Sequence, residues 1–228
     1  MLNELAHAGR ENLDPAHVAR YDQKEDGDAA GELAALWAFG ADELATVIDL
    51  GTGTGQFALA AAAAARRVVA VDVSPVMLEH VRTKLRRRGV RNVECVLAGF
   101  LTYEHGGERA DLVYSRYALH HLTDFWKALA LIRMADMLRP GGILRLSDVV
   151  YSFEPSQAQT RLEQWMSETA TTTVDHGWSR AELEEHVRDE HSTFTWLLEP
   201  MLTRAGFAIE QQDYSEDQIF ARYTCVKA

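Results

Sequence analysis

The sequence predicts an α/β fold, one mostly parallel sheet with helices on both faces, and two observations carry that prediction. From Ala45 onward, apolar runs of strand length alternate with amphipathic helical stretches, the rhythm of buried strands joined by helical crossovers. The chain is also long enough: 228 residues at 47% hydrophobic composition can bury a sizeable core, which argues for one domain with an insertion.

In chain order, residues 13–39 read as helical, with Asp14-Pro15 as a start signal, so that residues 1–44 form a helical N-terminal segment. Strands are expected at 46–50, 68–72, 93–97, 111–115 and 143–148. Between the second and third, Ser74 can cap and Pro75 can open a helix whose Met77, Val81 and Leu85 form one buried stripe and which Gly89 ends. Phe125, Leu129 and Ile132 predict a similar buried stripe before Pro140-Gly141-Gly142, where the proline stops the helix and the glycines allow a tight reversal.

After Asp148 the rhythm breaks. Residues 151–196 form a polar and aromatic insertion, with a helix around 157–171 and another opened by the capping box of Ser179 and Glu182. A helix up to Ala205 and strand-like stretches at 207–212 and 219–226 close the chain, the last as an antiparallel partner.

Charge narrows the function. A formal net charge of -11 disfavours a phosphate-tracking surface and predicts no nucleic-acid partner. The local basic run Arg82, Lys84, Arg86, Arg87, Arg88 and Arg91 reads as a solvated helix face, because the apolar stripe of that helix already fixes its orientation. Cys95 and Cys225 lack partners at metal-ligand spacing; they read as buried thiols of a reducing compartment, and no metal site is read. Residues 1–10 lack the basic start and apolar run of a secretory peptide, and the longest apolar tract, 57–65, is too short to span a bilayer. The expectation is a cytoplasmic protein without a membrane partner.

The strongest local signal is Val47-Ile48-Asp49-Leu50-Gly51-Thr52-Gly53-Thr54-Gly55-Gln56-Phe57, a buried strand running into a glycine-rich turn and an alanine-rich helix. Side chains at the three glycines would block the turn or a ligand approaching bare backbone amides. The spacing is one residue short of the dinucleotide fingerprint, which disfavours a nicotinamide cofactor. Asp49 puts a carboxylate where an ammonium or sulfonium could sit. Asp72, at the end of the second strand, can accept hydrogen bonds from both hydroxyls of a ribose.

With these motifs in order, the sequence resembles the class I S-adenosylmethionine-dependent methyltransferases, and in particular bacterial small-molecule enzymes, from about Ala45 to Lys227. The resemblance implies a Rossmann-like, seven-stranded, mostly parallel sheet with an antiparallel last strand, an N-terminal lid over residues 1–44 and an insertion after strand five that builds the acceptor pocket. It implies S-adenosyl-L-methionine as cofactor and S-adenosyl-L-homocysteine as product. It assigns Asp49, Gly51, Thr52, Gly53 and Gln56 to the methionine part and Asp72 to the ribose. Val73 and Met77 fall to the adenine, with Gly99 and Phe100 at its edge and Ser115 and Arg116 after strand four. Tyr21 of the lid contacts the methionine carboxylate. One departure stands out: the family commonly has Asp where this chain has Gly99, so the acid that takes the exocyclic amine is missing. Phe100 can pack on the base and a backbone carbonyl can take the amine.

The segment from Arg116 to Asp124 carries His120 and His121. It lacks the Pro-Pro-aromatic pattern of enzymes that methylate bases, and neither cysteine stands where a cytosine-attacking nucleophile would. Methyl transfer is an in-line displacement that alignment accelerates, and a hydroxyl acceptor also needs a base. The expected catalytic residues are His120, His121 and Asp148, a carboxylate orienting an imidazole. The aromatic insertion residues Tyr151, Phe153, Trp165, Trp178, Phe194 and Trp196 read as the insertion's own small core or as walls for an aromatic or hydrophobic small-molecule acceptor; His176 and the acidic run 182–190 read as surface. Function is therefore expected to be methyl transfer to a small molecule, at a hydroxyl in secondary metabolism, with nitrogen or carbon methylation, a protein or RNA acceptor, and a binding module without turnover as alternatives.

Overall fold

The structure is a computed structural model that describes residues 2–9, 11–24, 28–39, 46–171 and 177–228. The boundary expected at Ala45, the residue His176 and the side chain of Lys24 lie outside what is described.

Helices α1 (Pro15–Lys24) and α2 (Ala29–Ala38) precede the sheet; the sequence had run them together as one helical stretch. Strands β1 (Thr46–Leu50), β2 (Arg67–Asp72), β3 (Val93–Leu97) and β4 (Ala110–Arg116) alternate with α3 (Gln56–Ala61) and α4 (Pro75–Arg88). Next come α5 (Asp124–Met137) and β5 (Leu138–Tyr151), then α6 (Ala158–Thr169), α7 (Arg180–Asp189), β6 (Thr193–Phe194) and α8 (Thr195–Arg204). A hairpin of β7 (Phe207–Tyr214) and β8 (Phe220–Lys227) completes the chain. The sheet order is β3-β2-β1-β4-β5-β8-β7, parallel except for β8, which is antiparallel to both neighbours. This is the expected seven-stranded arrangement, extended by the two-residue β6 that pairs with the end of β5.

Alternation within β1 explains the two layers. Val47 joins Phe57, Ala58, Leu33 and Leu36 on one face, while Ile48 and Leu50 join Leu131, Met134, Leu198 and Leu202 on the other. Local signals behave as read: Ser74 caps α4 through the Met77 amide, Gly89 ends it in the left-handed conformation, Met77, Val81 and Leu85 are buried, and Ser179 with Glu182 forms a capping box on α7. The arginines of α4 face outward, with Arg82 and Arg86 paired to Glu79.

Three expectations are corrected. Phe125, Leu129 and Ile132 are exposed at 66%, 39% and 46%, and α5 instead buries Ala130, Leu131, Met134 and Ala135. Lys127 lies on that buried side because its ammonium is satisfied by Asp124 and the carbonyl of His191. The Pro140-Gly141-Gly142 turn does not precede the fifth strand but lies within it: β4 advances from Ala110 to Leu112 while β5 advances from Leu138 to Ile143, a bulge that Gly141 turns at φ 72°. Cys225 is buried as expected, whereas Cys95 is only half-buried.

The insertion has a core of its own. Tyr151, Phe153, Trp165, Met166 and Leu183 pack with Val149 and Ile219, while Trp196 stays 57% exposed and stacks on Phe194. No helix among the described residues is long and apolar enough to cross a membrane.

Candidate active site

A cleft opens at the carboxyl edge of the sheet where strand order reverses, between β1 and β4, the position at which open α/β sheets bind ligands. Its floor is the glycine turn. Gly51, Gly53 and Gly55 have φ of 73°, 52° and 79°, a conformation that side chains disfavour. A Cβ on Gly51 would meet the methyl of Ala118, and one on Gly55 would lie 2.9 Å from Val81. At Gly53 it would meet nothing within 4 Å, so the backbone there faces open space. Thr52 donates to Asp49 at 2.7 Å, and Gly53 and Ser74 donate their amides to the two oxygens of Asp72, each at 2.8 Å.

Asp49 and Asp72 are both buried carboxylates. Burial, reinforced by repulsion from Asp72, raises the Asp49 pKa to about 7, and burial likewise raises that of Asp72. A cationic ligand beside this pair would relieve both penalties.

A cavity of about 650 Å³ contains Tyr21, Asp49, Gly51, Thr52, Gly53, Gln56 and Arg116 of the expected cofactor residues. Asp72, Val73, Met77, Gly99 and Phe100 are not on its wall; they lie past Gly53, at the ends of β2 and β3 and, for Met77, in the first turn of α4. Ser115 is fully buried, and its hydroxyl has no partner among the described residues. Sequence reasoning missed Asp22, next to Tyr21, which takes bonds from Thr54 and from Gln56 (3.1 Å) and pairs with Lys84, tying α1 to the turn. It also missed the wall formed by Arg145, which donates to Glu32 at 2.8 Å and to Thr224 at 2.6 Å.

A second cavity, of about 730 Å³, lies against the first and shares Tyr21, Arg116, Tyr117 and Phe220 with it. His120, His121, Trp165, Trp178, His186 and Glu190 are among its other walls. Tyr117, at the junction, is one of two non-glycine residues with positive φ among those described, at 51°, and the Arg116 guanidinium lies 4.4 Å from the centre of its ring. Strain of this kind persists where the surroundings enforce it, often at functional sites.

The structure joins His120 to Asp148, as the sequence implied, and adds a third member. His120 Nδ1 pairs with Asp148, its Nε2 lies 3.0 Å from Glu190, and Glu190 also pairs with His186. Asp148 further accepts the amides of Leu119 at 2.8 Å and Val149 at 2.7 Å. Glu190 corrects the reading of 182–190 as surface: with the buried Leu183 and the half-buried His186, it is turned inward. Burial opposes a charge on His120, but Asp148 and then Glu190 outweigh it and raise its pKa to about 10. His121 is the reverse: burial, and then the charge of His120, lower its pKa to about 4, and its Nδ1 is buried without a partner among the described residues. His120, His186 and Glu190 bring ligand-type atoms within 4.8 Å of one another, but the carboxylate already lies against both rings.

The glycine turn gives one test. Gly53→Ala adds a methyl into open space, so its folding cost is that of the positive φ, about 1 kcal/mol. Affinity for S-adenosylhomocysteine is expected to fall at least tenfold while the unfolding temperature moves by only a few degrees, as calorimetric titration and thermal melts would report. Equal affinity would mean that no ligand approaches this backbone.

Comparison with known proteins agrees with this geometry. A family model described as a methyltransferase domain matches residues 47–142, which span β1 to the start of β5. The chain is 29% identical over 173 residues to the uncharacterized methyltransferase YrrT of Bacillus subtilis, covering 74% of this chain and 73% of that protein. It is 29% identical over 153 residues to the aklanonic acid methyltransferase DauC of a Streptomyces species, covering 60% and 69%. The fold is similar to that of the N-methyltransferase NodS of Bradyrhizobium japonicum in complex with S-adenosylhomocysteine, with a TM-score of 0.66 at 17% identity over 99% of each chain. An open backbone turn and a pair of buried carboxylates at the strand reversal suit a nucleoside with a cationic amino-acid part, and S-adenosylmethionine carries a sulfonium charge besides. Residues 47–142 thus carry a methyltransferase domain, set on the fold that S-adenosylmethionine-dependent methyltransferases share.

Proposed function

We propose that the enzyme methylates a hydroxyl of a small aromatic or hydrophobic molecule, in secondary metabolism, held in the second cavity. The observation that carries this reading is the meeting of two cavities at Tyr21, Arg116, Tyr117 and Phe220. One suits the methyl donor, and the other has the size and the aromatic walls of a small-molecule site. Residues 1–44 act as the lid and residues 151–196 as the pocket insertion, since Leu5, His7 and Leu13 from the first and Trp165, Trp178 and Leu183 from the second line the acceptor cavity. The relative named as an aklanonic acid methyltransferase supports a small acceptor.

When bound, the cofactor supplies a methyl group on a positively charged sulfur. The chain's own residues do the rest. Asp49, Thr52 and Gly53 would hold the donor's methionine part and Asp72 its ribose, and the Tyr117 and Phe220 rings, 5.6 Å apart, line the junction where donor and acceptor are aligned. His120 is a fixed imidazolium that orients its neighbours through Asp148 and Glu190. His121, which burial keeps neutral and which lines the second cavity, accepts the hydroxyl proton as the methyl is transferred.

His121→Asn is expected to lower turnover of a phenolic acceptor about 100-fold, with S-adenosylhomocysteine affinity held within a factor of two. The acid limb of the wild-type rate should lie near pH 4, because the base works only when neutral and its pKa is lowered to about 4. Turnover of amines alone, undiminished in His121→Asn, would replace the hydroxyl reading with nitrogen methylation.

A further inference from the structure

We infer that Glu4, from the N-terminal segment, supplies the carboxylate that reads the exocyclic amine of the cofactor's purine, in the place left by Gly99. The geometry is a relocation. A Cβ built on Gly99 would lie 2.5 Å from the Glu4 carboxyl carbon and 2.6 Å from Oε2. That is about the reach from the Cβ of an aspartate to its own carboxyl oxygens, so the Glu4 carboxylate occupies the volume an aspartate at position 99 would use. Residues 95 positions apart in the sequence thus share one site, and the glycine is what admits the glutamate.

The purine's location follows from the order of the sheet. Asp49 and the glycine turn stand at the end of β1 and Asp72 at the end of β2, with β3 beyond it. A ligand with its amino-acid part at β1 and its ribose at Asp72 carries its base one strand further, about 5 Å away. There β3 ends at Leu97 and is followed by Ala98, whose amide donates to the Asp72 carbonyl at 3.1 Å, and then by Gly99 and Phe100.

Glu4 is held as a recognition group would be. It is 7% exposed. The Leu101 amide donates to both of its oxygens at 3.1 Å, and the Thr102 hydroxyl donates to Oε2 at 3.1 Å. The Phe100 amide also bonds this carboxylate, and since a carboxylate has about four acceptor positions, these three donors leave room for one more. The competing acceptors at this edge are engaged: the Gly99 carbonyl takes the Tyr103 amide at 2.9 Å, and the Phe100 carbonyl takes Arg133 at 3.2 Å. The segment that delivers Glu4 is fastened nearby, where Ser74 donates to the Asn12 carbonyl at 2.7 Å. Recognition of the base is thereby tied to the docking of residues 2–9 beside it.

The test is a titration of the full chain with S-adenosylhomocysteine and with its analogue lacking the purine 6-amino group. Wild type is expected to favour the amine by about tenfold or more, the ratio for one charge-assisted hydrogen bond. Glu4→Ala should bring the ratio close to one, and adding Gly99→Asp to it should restore the preference, since Gly99 does not have a positive φ. Glu4→Gln keeps an oxygen for Leu101 without the charge and serves if the alanine variant loosens the segment; it should lower the ratio severalfold. Asp72→Ala should weaken both ligands and keep the ratio, which separates this inference from the ribose assignment on which it rests. A ratio unchanged in both Glu4 variants, whether or not absolute affinity falls, would overturn the inference and leave Glu4 as a cap on the 99–103 turn.

Discussion

Asp72→Ala is expected to lower affinity for S-adenosylhomocysteine at least 100-fold in a chain that still folds. Two effects add. The carboxylate is the group on β2 able to take two ribose hydroxyls, and each charge-assisted bond contributes about 1.5 to 3 kcal/mol, so losing two corresponds to a factor of 100 or more. It also shapes the turn, since its oxygens hold the amides of Gly53 and Ser74 at 2.8 Å. Without it the Gly53 amide loses its anchor, and the open backbone loses its preorganisation. Asp72→Asn should be little better, because its amide nitrogen would have to face one of those N–H donors. Folding should survive at a lower midpoint: the Gly53 amide lies on the cleft wall, where water can replace the carboxylate, while the buried Ser74 amide loses its acceptor at a cost of about 1 to 3 kcal/mol. Calorimetric titration with S-adenosylhomocysteine, with a melt of each variant as control, reads both. Binding within threefold of wild type would remove Asp72 from the cofactor site.

What could be read before folding was local. The glycine turn announces itself because three positive φ angles in five residues exclude side chains, and Ser74, Pro75, Gly89 and the Ser179–Glu182 box act within one helical turn of themselves. The face of α5 was misread because the helix has two apolar faces. What decides between them is tertiary: Ala130 and Ala135 allow close packing on the sheet, and the buried Lys127 is satisfied by a carbonyl 64 residues away. The candidate site divides along the same line. His120, Asp148 and Asp72 stand at strand ends, where a parallel sheet concentrates its chemistry. Glu4 and Glu190 arrive from segments whose docking no short-range pattern encodes, and in the run 182–190 most of the charges do face solvent.

Asp148→Asn is expected to lower the unfolding midpoint by roughly 10 °C near neutral pH, and by less as the pH rises. Asp148 is buried, with its partner His120, and breaking such a pair costs about 3 to 5 kcal/mol. For a chain of this size each kcal/mol corresponds to about 2–4 °C. The pH dependence follows from proton linkage. Folding raises His120 from an ordinary 6.5 to about 10, so its stabilising contribution is complete below about pH 6.5 and is lost as the pH climbs towards 10. Asp148 and Glu190 are displaced the other way: burial opposes their ionisation, but the imidazolium outweighs it and lowers both. Their contributions hold above the ordinary carboxylate range and are lost in acid. The wild-type advantage over Asp148→Asn should therefore be widest just below pH 6.5 and shrink towards pH 10, a comparison that cancels tyrosine, lysine and cysteine titrations common to both proteins. A constant difference across that range would mean that His120 is neutral in the folded chain. The base assignment depends on this result. A permanently protonated His120 cannot accept a proton from an acceptor, and His121, its neutral neighbour on the cavity wall, then takes that role; a neutral His120 would return it to the His120–Asp148 pair.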